Sequence, residues 1–262
     1  MNARRVVVVT AVGVPLAAVA LLGAQAYYAS TVDRPDLEPA YEVSTRVDPP
    51  GEADPGDAVP LRLVVLGDSL AAGVGSPTVD GSLPALIAER VAPALGRPVS
   101  VIGHGVSGAR TDDTRSEQVP LLAGAPADVV VIVVGSNDVT HVTPPWVLRR
   151  QTAELLTEVQ GAAAGTPVVL AGIPLFTGTP RLPVPLRWVV GAYARPLRDA
   201  QREVTVRAEG VRYADIARDA SPRFRGVPDA MSADGYHPSP VGYGFWADAI
   251  AAEVIPAARL NP

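Results

Sequence analysis

The stretch RLVVLGDSLAAGVGS, residues 62–76, decides how the chain is read. Four apolar residues, Leu63 to Leu66, stop abruptly at Gly67-Asp68-Ser69. A short run that is apolar on both faces, broken by glycine and small polar residues, reads as a buried parallel strand opening onto a turn. Working outward, the pattern recurs at Val99–Gly103, Asp128–Val134, Pro167–Ala171 and Val211–Ala214. Longer helical patterns lie between and after these runs, at Leu83–Leu95, Ser116–Ala123, Pro145–Ala164, Leu186–Ala208 and Pro240–Ala257. Strand and helix in alternation predict a doubly wound α/β sheet. No internal repeat is present.

In such sheets, ligands bind beyond the carboxyl ends of the strands. The first candidate strand is followed by Gly67-Asp68-Ser69-Leu70 and the second by His104-Gly105-Val106-Ser107-Gly108. The third leads to Gly135-Ser136-Asn137-Asp138, the fourth to Gly172-Ile173-Pro174, and the fifth to a loop ending in Asp234-Gly235-Tyr236-His237-Pro238. Ester hydrolysis at neutral pH needs an activated nucleophile, a base and donors for the developing oxyanion. Ser69, at a strand-to-turn break, is the candidate nucleophile and His237 the candidate base. Asp234, three residues earlier, could hold the other ring nitrogen in the correct tautomer. The backbone N–H groups of Ser69 and Gly108 and the side-chain amide of Asn137 are the candidate oxyanion donors.

These four blocks, Gly67-Asp68-Ser69-Leu70, Gly108, Gly135-x-Asn137-Asp138 and Asp234-x-x-His237, resemble the SGNH/GDSL hydrolase family over residues 61–257. The resemblance implies a flavodoxin-like three-layer α/β/α sandwich with a five-stranded parallel sheet. It also implies a serine esterase or lipase with Ser69, Asp234 and His237 as the triad. Ser69, Gly108 and Asn137 would form the oxyanion hole. Members of the family often carry Asn near the position of His104, so this chain departs there. Acyl transfer from the same residues, or a binding protein that keeps the fold without turnover, remain alternatives. Asp68 and Asp138 read as structural acids of their turns.

Other motifs fail. Gly105-Val106-Ser107-Gly108-Ala109 ends in alanine where a G-x-S-x-G elbow needs glycine. The glycines from Gly67 to Gly75 do not fit a nucleotide cradle, and the chain contains no lysine. The absence of cysteine excludes thiol catalysis, disulfides and Cys-ligated zinc. A metal site from His104, His141 and His237 would need three loops to meet without a ligand-spacing signature. No metal and no cofactor are therefore expected. The stretch PLFTGTPRLPVPLRWVVGAYA (174–194) reads either as a crossover loop or as the wall of an acyl pocket. In the latter reading Phe176, Leu182, Trp188 and Val189 face the substrate.

Charge is uneven. The formal net charge is −5, yet most of the excess acid lies between Ser30 and Pro60, leaving the remainder close to neutral. No basic footprint for nucleic acid exists. Residues 1–30 carry Arg4 and Arg5 ahead of the uncharged run Val6–Ser30, which reads as a membrane anchor or a signal peptide with a cleavage signal at Ala24-Gln25-Ala26. Either version exports the rest of the chain, and an uncleaved anchor would make the membrane a partner. Residues 31–60, rich in proline and acid, read as an extended stalk. Residues 61–262 are then the hydrolase domain.

Overall fold

The computed structural model describes residues 3–31, 35, 37–51, 58–124 and 126–260, with side chains from residue 16 onward. In chain order the elements are α1 (Ala3–Thr31), β1 (Ser44–Val47), β2 (Leu61–Gly67), α2 (Ser69–Ala72), α3 (Leu83–Leu95), β3 (Val99–Gly105) and α4 (Thr111–Asp113). They continue as β4 (Val129–Val133), α5 (Ser136–Thr140), α6 (Pro145–Ala162), β5 (Val168–Ala171), α7 (Leu186–Thr205), β6 (Val211–Ala214), α8 (Ile216–Asp219) and α9 (Pro240–Arg259). Among the described residues six strands form one sheet, ordered β1-β3-β2-β4-β5-β6. Every neighbouring pair is parallel except β1 against β3.

The central strands are buried on both faces because both faces are apolar. Leu63, Val65, Val129, Val131 and Val133 pack on Ile87 and Val91 of α3 and on Ile250 and Val254 of α9. Their alternates, Val64, Leu66, Val130 and Ile132, pack on Leu155, Leu156 and Val159 of α6. Period-two alternation between two helical layers makes the three-layer sandwich. Helix limits follow local chemistry. Ser82 caps α3 by accepting from the Ala85 N–H, and Gly96 ends it in the left-handed conformation. Ser239 caps α9 by accepting from the Val241 and Gly242 N–H groups.

Two expectations need correction, and a third finds no support. The stalk reading of residues 31–60 misses β1, an antiparallel edge strand whose register pairs Ser44 with Ile102 and Val47 with Val99. Val43 is buried beside it, and its carbonyl accepts from the Gly103 N–H at 2.8 Å. The Tyr41 hydroxyl donates to the carbonyls of Gly73 and Ser76, each at 3.2 Å. The proline and acid content of the whole segment masked the short run Tyr41–Val47, and strand addition at an edge relies on backbone bonds that composition does not report. Other stalk positions, 32–34, 36 and 52–57, lie outside the described residues. Second, the helix expected at Ser116–Ala123 is a π-turn over Thr114–Gln118 followed by a 3₁₀ segment over Val119–Gly124. Pro120 lacks the N–H that a regular helix would need there. Third, the expected apolar span finds no support. Among the described residues no helix is long and apolar enough to cross a membrane. Side chains of the run up to residue 15 lie outside the described residues.

The strand order places the switch point at β2. The chain moves from β2 to β3 on one side through α3, then returns to β4 on the other. The loops after β2, β3 and β4 therefore share one crevice at the carboxyl edge.

Candidate active site

The site begins with a glycine that only the close approach of two strands explains. Gly67 ends β2 at φ +151°, and a Cβ built on it would lie 2.0 Å from the Val133 carbonyl oxygen. That carbonyl accepts from the Asp68 N–H at 3.1 Å, so β2 and β4 hold each other up to the point of departure. Buried Gln118 adds a second tie. Its Oε1 accepts from the Gly67 N–H at 2.7 Å and its Nε2 donates to the Gly67 carbonyl at 2.8 Å. Asp68 then caps α2, accepting from the Leu70 N–H at 3.0 Å. Ser69 is the first residue of that helix.

The structure brings Ser69, His237 and Asp234 together. His237 Nε2 lies 3.0 Å from Ser69 Oγ, and His237 Nδ1 lies 2.6 Å from Asp234 Oδ2. The other carboxylate oxygen of Asp234 accepts from the N–H groups of Tyr236 (2.8 Å) and His237 (2.9 Å) and from the Ser232 hydroxyl (2.8 Å). Burial opposes the Asp234 charge, but the His237 ring and these two N–H bonds outweigh it and hold the carboxyl far below the usual carboxylate range. An ionised Asp234 beside Nδ1 favours the His237 tautomer with its proton there, in which Nε2 presents a lone pair to Ser69 Oγ.

Asp68 behaves in the opposite way. It is buried, and burial pushes its carboxyl up to about 7, against the lowering effect of the Leu70 N–H and of His237. Asp138 is also raised, again by burial, although the Thr111 N–H and hydroxyl and the Thr143 hydroxyl bond to its charged form.

Asn137 stands at the start of α5, where its Nδ2 donates to the Ala109 carbonyl at 3.0 Å. Next to it, Asp138 Oδ2 accepts from the Thr111 N–H (3.0 Å) and hydroxyl (2.8 Å). These bonds clip the loop after β3, which carries Gly108, onto α5. Gly108 adopts φ +83° with open space where a Cβ would sit, so it is the backbone conformation that calls for glycine there. Asp68, Ser69, Asn137 and His237 line one cleft together with Leu70, Pro174, Leu175, Phe176, Phe224, Met231, Tyr236 and Trp246.

Of the residues expected to face substrate, Phe176 lines this cleft. Leu182 instead lies in a core cluster with Leu148, Ile173 and Leu197, while Trp188 (65 % exposed) and Val189 (48 %) face solvent. For the last two the reason is helical phase: α7 turns Ala194 and Leu197 inward, which points Trp188 and Val189 out. Sequence reasoning missed Phe224, Met231, Tyr236 and Trp246, whose apolar character alone does not distinguish cleft from core. The other two histidines lie apart from the triad contacts. His141 Nδ1 is 2.8 Å from the Asn137 carbonyl, and half-buried His104, whose pKa burial lowers, leaves Nε2 without a hydrogen-bond partner among the described residues.

Comparison with known proteins follows the same residues. A family model described as the GDSL-like Lipase/Acylhydrolase family matches residues 65–245. A GDSL-like esterase of Mycobacterium tuberculosis is 28 % identical over 191 residues, covering 72 % of this chain and 60 % of the relative. An arylesterase of Vibrio mimicus is 24 % identical over 194 residues, covering 74 % of this chain and 88 % of that protein. The crystal structure of a lipase/acylhydrolase from Enterococcus faecalis superposes with a TM-score of 0.58 at 25 % identity, over 75 % of this chain and 96 % of that one.

Proposed function

Because the chain belongs to the GDSL-like lipase/acylhydrolase family, we propose that it is a serine hydrolase of carboxylic esters working through an acyl-enzyme. The observation that carries this reading is the unbroken chain from Asp234 Oδ2 through both His237 nitrogens to Ser69 Oγ, at 2.6 and 3.0 Å. Ser69 Oγ attacks the ester carbonyl carbon while His237 Nε2 takes the hydroxyl proton. The tetrahedral oxyanion meets the N–H groups of Ser69 and Gly108 and the second amide hydrogen of Asn137. Collapse breaks the bond to the alcohol, which leaves with the proton from His237. Water, deprotonated by the same nitrogen, then releases the acid and restores Ser69.

The cleft walls contributed by Leu70, Phe176, Phe224, Met231 and Trp246 favour an uncharged acyl group, whether from a lipid, an acylated glycan or a small ester. The test is p-nitrophenol release from acetate, butyrate and octanoate esters. Wild-type protein is expected to turn over, and Ser69→Ala to lose about 10³-fold or more in kcat. Equal activity in Ser69→Ala overturns the mechanism. Export is the second part of the proposal and rests on Arg4, Arg5 and the uncharged run Val6–Ser30. A reporter that folds only outside the cytoplasm, fused after residue 60, is expected to be active, and an inactive one argues for a cytoplasmic enzyme.

A further inference from the structure

The apolar helix α1 carries a glutamine, Gln25, whose amide is used at both ends. Its Nε2 donates to the Val184 carbonyl at 2.7 Å, and its Oε1 accepts from the Leu186 N–H at 3.0 Å. One turn on, Ala29 packs, as Leu186 does, against the core cluster that contains Leu182. The Ala29 carbonyl, in the last turn of α1 where carbonyls lack helical partners, accepts from Arg181 Nε at 2.8 Å. The same guanidinium reaches the catalytic loop, with Nη1 donating to the Asp234 carbonyl at 3.4 Å. The Arg181 backbone N–H donates to the Gly235 carbonyl at 2.9 Å. Arg187 binds the loop that carries Arg181, through Nε to the Leu182 carbonyl at 2.7 Å and Nη2 to the Pro180 carbonyl at 3.3 Å. Gly178 and Thr179 of this loop line the cleft.

The geometry points to α1 as a strut for the catalytic acid, with Arg181 as the positioning residue that joins them and Gln25 as the clamp that seats the helix. This rests on the esterase reading for what Asp234 does, although the contacts themselves do not. Asp234 has its carboxylate aimed at His237 Nδ1, and its carbonyl is one of the points at which the loop is held from behind. A guanidinium can serve two acceptors at a fixed angle, whereas the single ammonium of lysine lacks that fork. The N-terminal helix therefore belongs to the working enzyme, and a chain cut between Ala26 and Tyr27 would lose the Gln25 clamp.

The test uses the full chain with Arg181→Gln, Gln25→Ala, their combination, and Tyr27→Ser on the exposed face of α1 as control. A p-nitrophenyl alkylphosphonate transfers its phosphonyl group to Ser69 Oγ and releases p-nitrophenol, so its rate reads nucleophile activation directly. Arg181→Gln is expected to slow this step and kcat by about tenfold with KM within about twofold, since small displacements of a reacting group are costly. Gln25→Ala should act in the same direction, and the double variant should be little worse than Arg181→Gln because both act through one loop. Hydrogen exchange at the Tyr236 and His237 amides should accelerate while that of β4 stays unchanged. Wild-type rates in both variants, or exchange that rises equally in β4, overturn the strut. If wild-type protein fails to react with the phosphonate, the esterase reading falls, and the exchange measurement still decides the strut.

Discussion

Two carboxylates within reach of His237 are driven in opposite directions, Asp68 up by burial and Asp234 down by its hydrogen bonds. Asp234 accepts two backbone N–H bonds, a hydroxyl and the imidazole, whereas buried Asp68 accepts the Leu70 N–H. The Asp68 carboxyl therefore rises to about 7 in the fold. A carboxyl raised on folding stabilises fully only below its unfolded pKa, and that contribution is lost as pH rises through the folded value. Stability should thus decline between about pH 4 and pH 7, by at most roughly 4 kcal/mol from this group. Asp68→Asn keeps an acceptor for Leu70 and should flatten that decline in urea unfolding at stepped pH. A slope identical to wild type would show that Asp68 is not the titrating group. Asp138, also raised, leaves part of the slope in place. Ser69, Asp234 and His237 were legible as residues because turn chemistry and spacing are local. Gln118 was not, since nothing in the sequence around it indicates that its amide will bracket both backbone groups of Gly67. Replacing it by alanine leaves the buried Gly67 N–H unpaired, while the Gly67 carbonyl keeps the Val106 N–H at 3.1 Å, and should lower stability by about 1–3 kcal/mol.

At the scale of elements, β1 closes the β3 edge of the sheet, and its neighbours hold the turn that follows the nucleophile. Tyr41 ties the segment to Gly73 and Ser76, and Leu37 accepts from the Gly75 N–H at 3.4 Å. Val43→Asp puts a charge into a buried position beside Gly103, and should lower Tm by several degrees, about 2–4 °C for each kcal/mol lost. A thermal scan of that variant equal to wild type would mean the edge strand is dispensable. The cores of β2, β4 and β5 were readable because a both-faces-apolar run has one common environment, between two helical layers. β1 was not, because its outer residues Ser44 and Arg46 are exposed and its pairing is made by backbone groups common to every sequence. The first turn of α7 was misread for a related reason: an apolar residue near a pocket can face pocket, core or solvent, and only the helical phase decides.

Across the whole molecule, ion pairs decorate the surface and the apolar layers carry the stability. The Arg–carboxylate bridges, such as Arg218–Asp219 and Arg207–Glu203, join largely exposed side chains. Exposed pairs contribute about 0–1 kcal/mol each and are screened by salt. Raising sodium chloride from about 0.05 to 0.5 M, which shortens the Debye length several-fold, should therefore shift Tm by no more than about 2 °C. A shift of 10 °C would assign the stability to charge. The sequence by itself determined the alternation of strands and helices, the doubly wound class and the identity of the residues at the strand ends. Each of those follows from short-range periodicity and turn chemistry. Tertiary structure alone decided that residues 44–47 extend the sheet, that the cleft is walled by Phe224, Met231 and Trp246, and that α1 reaches Asp234 through Arg181. Those facts depend on which distant surfaces meet, and backbone pairing and amphipathic side chains leave no periodic trace of their partner.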